Sequence, residues 1–259
     1  MLEVKTKKII IFTIFQLILG VLLSFINHRY LINSPSDITL EQDFSDSWQL
    51  FIMLTYILVI VPKYWFLFKK LFICKDLFKA IMHPIIIALF LYYILSIIQY
   101  LPVTFGMSSI PVGRGQSTSS YIPLSLVDFI YMGFFPAFNE ESLFRFFPYA
   151  WLYLFVTNGR SRRLGIFSKL KGQIKHLLFV TRDKRLEWIW IFFFSTLFAL
   201  IHEPNVFNFY MYFIPGSVFN YMFLRYGFIS GVIAHATFNF MRVVMTGAAI
   251  GTLKLFFPI

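Results

Sequence analysis

One cysteine in 259 residues, Cys74, excludes an intrachain disulfide, and its place in a lysine-rich segment reads as a passive thiol. Charge is also scarce. Only 14% of the residues are charged, against roughly 25% in an ordinary soluble domain, while 58% are hydrophobic, which excludes the soluble class. Acid is scarcer than base, with 12 Asp and Glu against 23 Lys and Arg. A net charge of +11 raises the question of nucleic acid. The cations, however, cluster in short segments flanking apolar runs, where a lipid bilayer with anionic lipids is the expected partner and nucleic acid is not. Internal repeats and low-complexity tracts are missing too, so residues 1–259 read as a single integral membrane domain.

What is present is a series of apolar runs near the 17 to 25 residues that a tilted membrane helix needs. The first, Ile9 to Ile26, follows Lys5, Lys7 and Lys8. It resembles a signal peptide but has no small-residue cleavage site after it, so it reads as a retained span. An acidic segment with Asp37, Glu41, Asp43 and Asp46 follows, then a run from Leu50 to Phe68 whose far end is crowded by Lys63, Lys69, Lys70, Lys75 and Lys79. Because Lys and Arg collect on the cytoplasmic side, the expectation is a multi-pass protein of the cell membrane with a cytoplasmic N-terminus and an external acidic loop. A third span, Pro84 to Leu101, returns outward to a Gly-, Ser- and Pro-rich loop, Pro102 to Ser120.

The strongly basic segment Arg160 to Arg185 is expected in the cytoplasm, so residues 123 to 157 must cross. They hold Pro136 and then Asn139, Glu140, Glu141 and Arg145, which predicts a helix that breaks near the proline and restarts with the carboxylates in its first turn. Such a break at membrane depth needs protein or a water-filled cavity to satisfy the freed backbone. Runs at Trp188 to Ile201, Phe207 to Leu224 and Phe228 to Met245 complete an all-α bundle of about seven or eight transmembrane helices. Its motif-bearing core is residues 123 to 246.

Ionisable groups inside apolar runs cost several kcal/mol each at the bilayer centre, so they mark a function by default. Three short patterns carry them. Glu141 and Arg145 stand four apart in Glu140-Glu141-Ser142-Leu143-Phe144-Arg145 and share a helix face, the orientation that suits an ion pair. Glu140 is turned about 100° away, so one carboxylate is free to face a cavity as general base or acid. Phe198-Ala199-Leu200-Ile201-His202 sets an aromatic ring one turn below an imidazole. His235-Ala236-Thr237-Phe238-Asn239 offers an imidazole and a carboxamide on one face, two donors suited to an oxyanion. The competing structural readings are a Glu–Arg staple, a capping or interfacial His202, and an interhelical hydrogen bond from His235 and Asn239, a contact that contributes about 0.6 to 2 kcal/mol.

In this order, each on a membrane helix, the patterns resemble those of the CAAX prenyl protease and bacteriocin-processing family, the intramembrane glutamate proteases also called CPBP or Abi proteins. Its motifs E-E-x-x-x-R, F-x-x-x-H and H-x-x-x-N are all matched between Asn139 and Asn239. Phe146 departs from the Gly that many members carry after the arginine. The resemblance implies a membrane-associated peptide or protein substrate and a water activated by Glu140 with help from His202. It also implies an oxyanion held by His235 and Asn239, with Glu141, Arg145 and Phe198 supporting them. It implies no metal and no cofactor, and the zinc signature H-E-x-x-H is absent, since His202-Glu203 runs on into Pro204, Asn205 and Val206. Two other classes stay open at this point. One is a non-catalytic scaffold or bacteriocin self-immunity protein of the same fold. The other is a transporter with a carboxylate–histidine relay, disfavoured by the lack of paired interrupted helices in the two halves of the chain.

Overall fold

The computed structural model describes residues 76–111, 133–157 and 166–257, all within the compact unit Lys69–Ile259. The expected spans Ile9 to Ile26 and Leu50 to Phe68, the side of the N-terminus, Cys74, and the start of the 123 to 157 crossing lie outside the described residues. All regular structure among the described residues is helical.

Helix α1, Leu77–Tyr100, begins where Asp76 accepts the backbone N–H of Lys79 at 3.1 Å. That bond, with the Lys79 ammonium beside it, holds the Asp76 carboxyl below its usual value. The helix runs into a 3-10 turn, Leu101–Phe105, and stops at Gly106, whose φ of 76° suits a residue without a side chain. The continuous stretch Leu77–Phe105 is the one helix among the described residues long and apolar enough to cross a membrane. It starts about two turns before the expected boundary at Pro84. The proline is tolerated because the carbonyl it orphans, that of Ala80 four residues back, accepts the hydroxyl of Ser230 at 2.7 Å from another helix. In hydrocarbon such a replacement partner is what permits a proline inside a span.

The first motif lies on α2, Phe135–Glu141, with Pro136 in its first turn. The backbone then widens into a π-helical segment, Ser142–Phe146, before α3, Phe147–Thr157. The expected irregularity near Pro136 is present as a π-helical turn at Gly133 and Phe134, but the carboxylates sit in the second turn of α2 instead of the first, and a second widened segment follows them. Pro148 has no N–H for the carbonyl of Phe144, and the preceding residue, Phe147, bonds instead to Ser142 five residues back. Such bulges frequently mark functional sites.

The basic segment expected in the cytoplasm contains helix α4, Ile166–Ile174, and a π-helical extension, Lys175–Val180. Asp183 caps α5, Lys184–Leu200, by accepting the N–H groups of Arg185 and Leu186. Helix α6 is Tyr210–Tyr226 and α7 is Phe228–Phe240. Gly227 joins them at φ 97° and ψ 179°, a conformation open essentially to glycine alone. The expected run to Met245 ends early, because α8, Arg242–Phe256, departs at an angle of 57°.

Helix α7 is the hub, packed against α1, α2 and α6, while α5 packs on α6 and α8 on α1. The core joins Ala88, Tyr92 and Leu95 of α1 to Phe219 and Met222 of α6 and Ala234 and Phe238 of α7. Alanines at these contacts let backbones approach closely, the usual packing solution where lipid supplies no hydrophobic drive between helices. The outward faces are apolar as well. Ile86, Phe90 and Ile94 of α1 and Trp188, Phe192 and Phe193 of α5 are exposed, with Phe90 at 66%, as expected of surfaces whose solvent is lipid.

Candidate active site

Six of the seven residues singled out in the sequence converge on the crossing of α2, α5, α6 and α7. Glu141 and Arg145 are fully buried, and Arg145 Nη1 lies 3.1 Å from Glu141 Oε1, so the pair survives the π-helical widening between them. A second Arg145 nitrogen donates to the Gly216 carbonyl at 3.2 Å. The guanidinium also stands 4.3 Å from the centre of the Phe198 ring, a cation–π contact in a desolvated setting.

The same Glu141 oxygen accepts from His235 Nδ1 at 2.9 Å. Because that partner is a carboxylate, the proton sits on Nδ1, leaving Nε2 as an acceptor in the neutral ring and a donor only in the imidazolium. His202 is fixed in the same sense by a different device. Helix α5 tightens at its end, with the N–H of His202 bonding to Ala199 instead of Phe198. The orphaned Phe198 carbonyl is taken by His202 Nδ1 at 2.8 Å. Glu203 then turns out of the helix at φ 47°, ahead of Pro204.

Both Nε2 atoms therefore face one atom. Glu140 Oε2 lies 3.9 Å from His202 Nε2 and 3.7 Å from His235 Nε2. The Glu140 side chain is 28% exposed, yet Oε2 itself is shielded and makes no hydrogen bond among the described residues. The topology thus brings Glu140 and His202 to one level of the bundle. Asn239 lies one turn past His235 on α7, half-buried, and takes no part in these contacts among the described residues.

Four residues of the site carry no motif. Tyr212 stacks on His202 at 4.7 Å and Phe219 on His235 at 4.5 Å, fixing the ring planes. Gly216 and Gly231 make room. A Cβ on Gly216 would come within 2.9 Å of Phe198 Cδ1, and one on Gly231 within 3.1 Å of Glu141 Oε2. The signal available in the sequence was the spacing of Tyr212, Gly216 and Phe219, four and then three apart, which sets them on one helix face.

Gly216→Ala provides a test of this packing. Relief of glycine's helix penalty alone would stabilise by about 1 kcal/mol, whereas overpacking costs about 1 to 3 kcal/mol. Phe198 is 2% exposed and has nowhere to go. A lower thermal midpoint in detergent is expected, and a raised one would show that the ring moves freely.

Among the described residues no group of three or more His, Cys, Asp and Glu side chains is arranged to hold a metal ion. What the arrangement offers is a carboxylate oxygen facing two oriented imidazoles, in a helical protein whose outer faces are apolar. That defines a membrane protein with a carboxylate–histidine site. Residues 122–241 match the family model described as Type II CAAX prenyl endopeptidase Rce1-like, so the motif-bearing segment is similar to that family of membrane-embedded proteases. No curated protein and no solved structure matches the chain.

Proposed function

We propose that this protein is an intramembrane endopeptidase in which Glu140 activates a water for attack on the peptide bond of a membrane-associated peptide or protein. The observation that carries the reading is the convergence of His202 Nε2 and His235 Nε2 on Glu140 Oε2 at 3.9 and 3.7 Å. Both gaps exceed a direct hydrogen bond. Admitting a water between them requires the shielded Oε2 to open to it.

Glu140 takes a proton from that water, and His202, whose Nε2 lies toward Glu140, shares it and passes it to the leaving amine. The developing oxyanion needs donors. His235 supplies one from a protonated Nε2, and Asn239 supplies a second from its carboxamide. Glu141 and Arg145 hold His235 in its orientation. The reaction asks for neither metal nor cofactor.

The test is cleavage of a library of membrane-associated peptides by the purified protein in lipid, with EDTA present. His202→Ala is expected to lower the rate by about 10² to 10⁴-fold while the helical circular dichroism stays that of the wild type. Cleavage that EDTA abolishes would overturn metal independence, and wild-type turnover in His202→Ala would remove the imidazole from the mechanism.

A further inference from the structure

The segment from Arg160 to Arg182 holds seven Lys and Arg residues and no Asp or Glu. Its described part, α4 with the π-helical extension, commits one face to the protein. Lys171 lies 4.0 Å from the centre of the Phe155 ring, Leu178 is buried, and Phe179 packs on the Tyr149 and Tyr153 rings. The turn that follows is pinned. Arg182, at φ 54°, donates to Glu187 at 2.8 Å and to the Leu224 carbonyl at 2.6 Å. The opposite face is therefore presented in a fixed orientation. It forms an open cleft lined by Lys169, Gly172, Gln173, His176 and Leu177.

The level of this cleft follows from α5, whose exposed apolar stripe begins at Trp188, just after Lys184 and Arg185. A tryptophan above a lysine–arginine pair is the side-chain order of a membrane interface. Leu170 and Val180, exposed beside the cleft, suit a helix lying at the boundary of headgroups and acyl chains. From this juxtaposition we infer that the cleft binds the phosphate headgroup of an anionic phospholipid. Lys169 supplies the charge, and Gln173 and His176 supply hydrogen bonds. Gly172 between them carries no side chain and is exposed, and an added Cβ there would meet nothing within 4 Å, so the headgroup can approach the backbone. The site lies before the N-terminus of α5, while His202 lies beyond its C-terminus, so it is separate from the carboxylate–histidine cluster and does not depend on the proposed activity.

The full-length protein, reconstituted in phosphatidylcholine vesicles with trace spin-labelled phosphatidylglycerol or spin-labelled phosphatidylcholine, provides the test. The fraction of each label immobilised by the protein is read by electron paramagnetic resonance. The wild type is expected to prefer phosphatidylglycerol, and Lys169→Gln to lower that preference about five-fold. Gly172→Phe, which sets a large side chain on this face without changing charge, is expected to lower it as well. Lys175→Gln removes the same charge from an exposed residue outside the cleft and is expected to act much more weakly. Equal immobilisation of both labels by the wild type, an equal effect of Lys175→Gln and Lys169→Gln, or full retention in Gly172→Phe would each overturn the inference. Displacement of the lipid by millimolar inorganic phosphate would overturn the lipid assignment in favour of a free anion.

Discussion

Glu140→Gln is expected to lower cleavage by about 10² to 10⁴-fold, the range associated with loss of one general acid–base group, and to leave the thermal midpoint within a degree or so. The asymmetry between the two effects follows from the surroundings of the carboxyl. Its Oε2 makes no hydrogen bond among the described residues, and the side chain is 28% exposed. The isosteric amide therefore forfeits no structural contact. It does forfeit the charge and the proton-accepting oxygen facing His202 and His235. An amide cannot take a proton from water near neutral pH, whatever its position. The rate of peptide cleavage and the unfolding of the same preparation, followed by tryptophan fluorescence in detergent, check both halves. An unchanged rate would sink the mechanism, and a large drop in midpoint would recast Glu140 as a structural residue.

The parts of this site legible in the sequence were those carried by polar residues in apolar surroundings. Glu141 and Arg145 stand four apart and meet at 3.1 Å. Glu140, turned away from its neighbour, faces the two imidazoles, and the F-x-x-x-H spacing puts Phe198 and His202 in ring contact at 4.7 Å. These patterns survive because helical geometry alone decides them. What stayed hidden depends on other helices. Nothing in the sequence pairs Pro84 with Ser230, 146 positions on in the chain, yet the hydroxyl of Ser230 is what lets α1 run through the proline. Nor does composition reveal that the widened turn at Ser142–Phe146 follows the carboxylates, because Pro136 was the nearer breaker and Pro148 acts backward from beyond the motif. Apolar runs also merge where helices abut. Phe228 to Met245 reads as one span because hydrophobicity does not register the bend at Met241. Helix α4 was masked by its charge, a composition that a loop and an interfacial helix share.

Glu141→Gln is expected to reduce stability as well as activity. The carboxylate is fully buried, and one of its oxygens accepts from His235 and stands 3.1 Å from Arg145 Nη1 as an ion pair. Glutamine with its amide oxygen in that place keeps the His235 bond and removes the charge that faces Arg145. Arg145 is then a buried cation without its nearest counter-ion, and breaking a buried pair from one side costs about 3 to 5 kcal/mol. For a chain of this size that corresponds to a midpoint lower by about 6 to 20 °C. Activity falls for a different reason, since His235 loses the charged partner that orients it. Arg145→Met alone strands the glutamate in the same way. The double variant Glu141→Gln/Arg145→Met leaves no uncompensated charge and is expected to be more stable than the sum of the single losses predicts, with a coupling of about 1 to 3 kcal/mol. It should nonetheless stay inactive, because recovery of packing does not restore a carboxylate to His235. A Glu141→Gln variant that is inactive but melts with the wild type would remove the structural role and leave Glu141 as a group acting in the reaction itself.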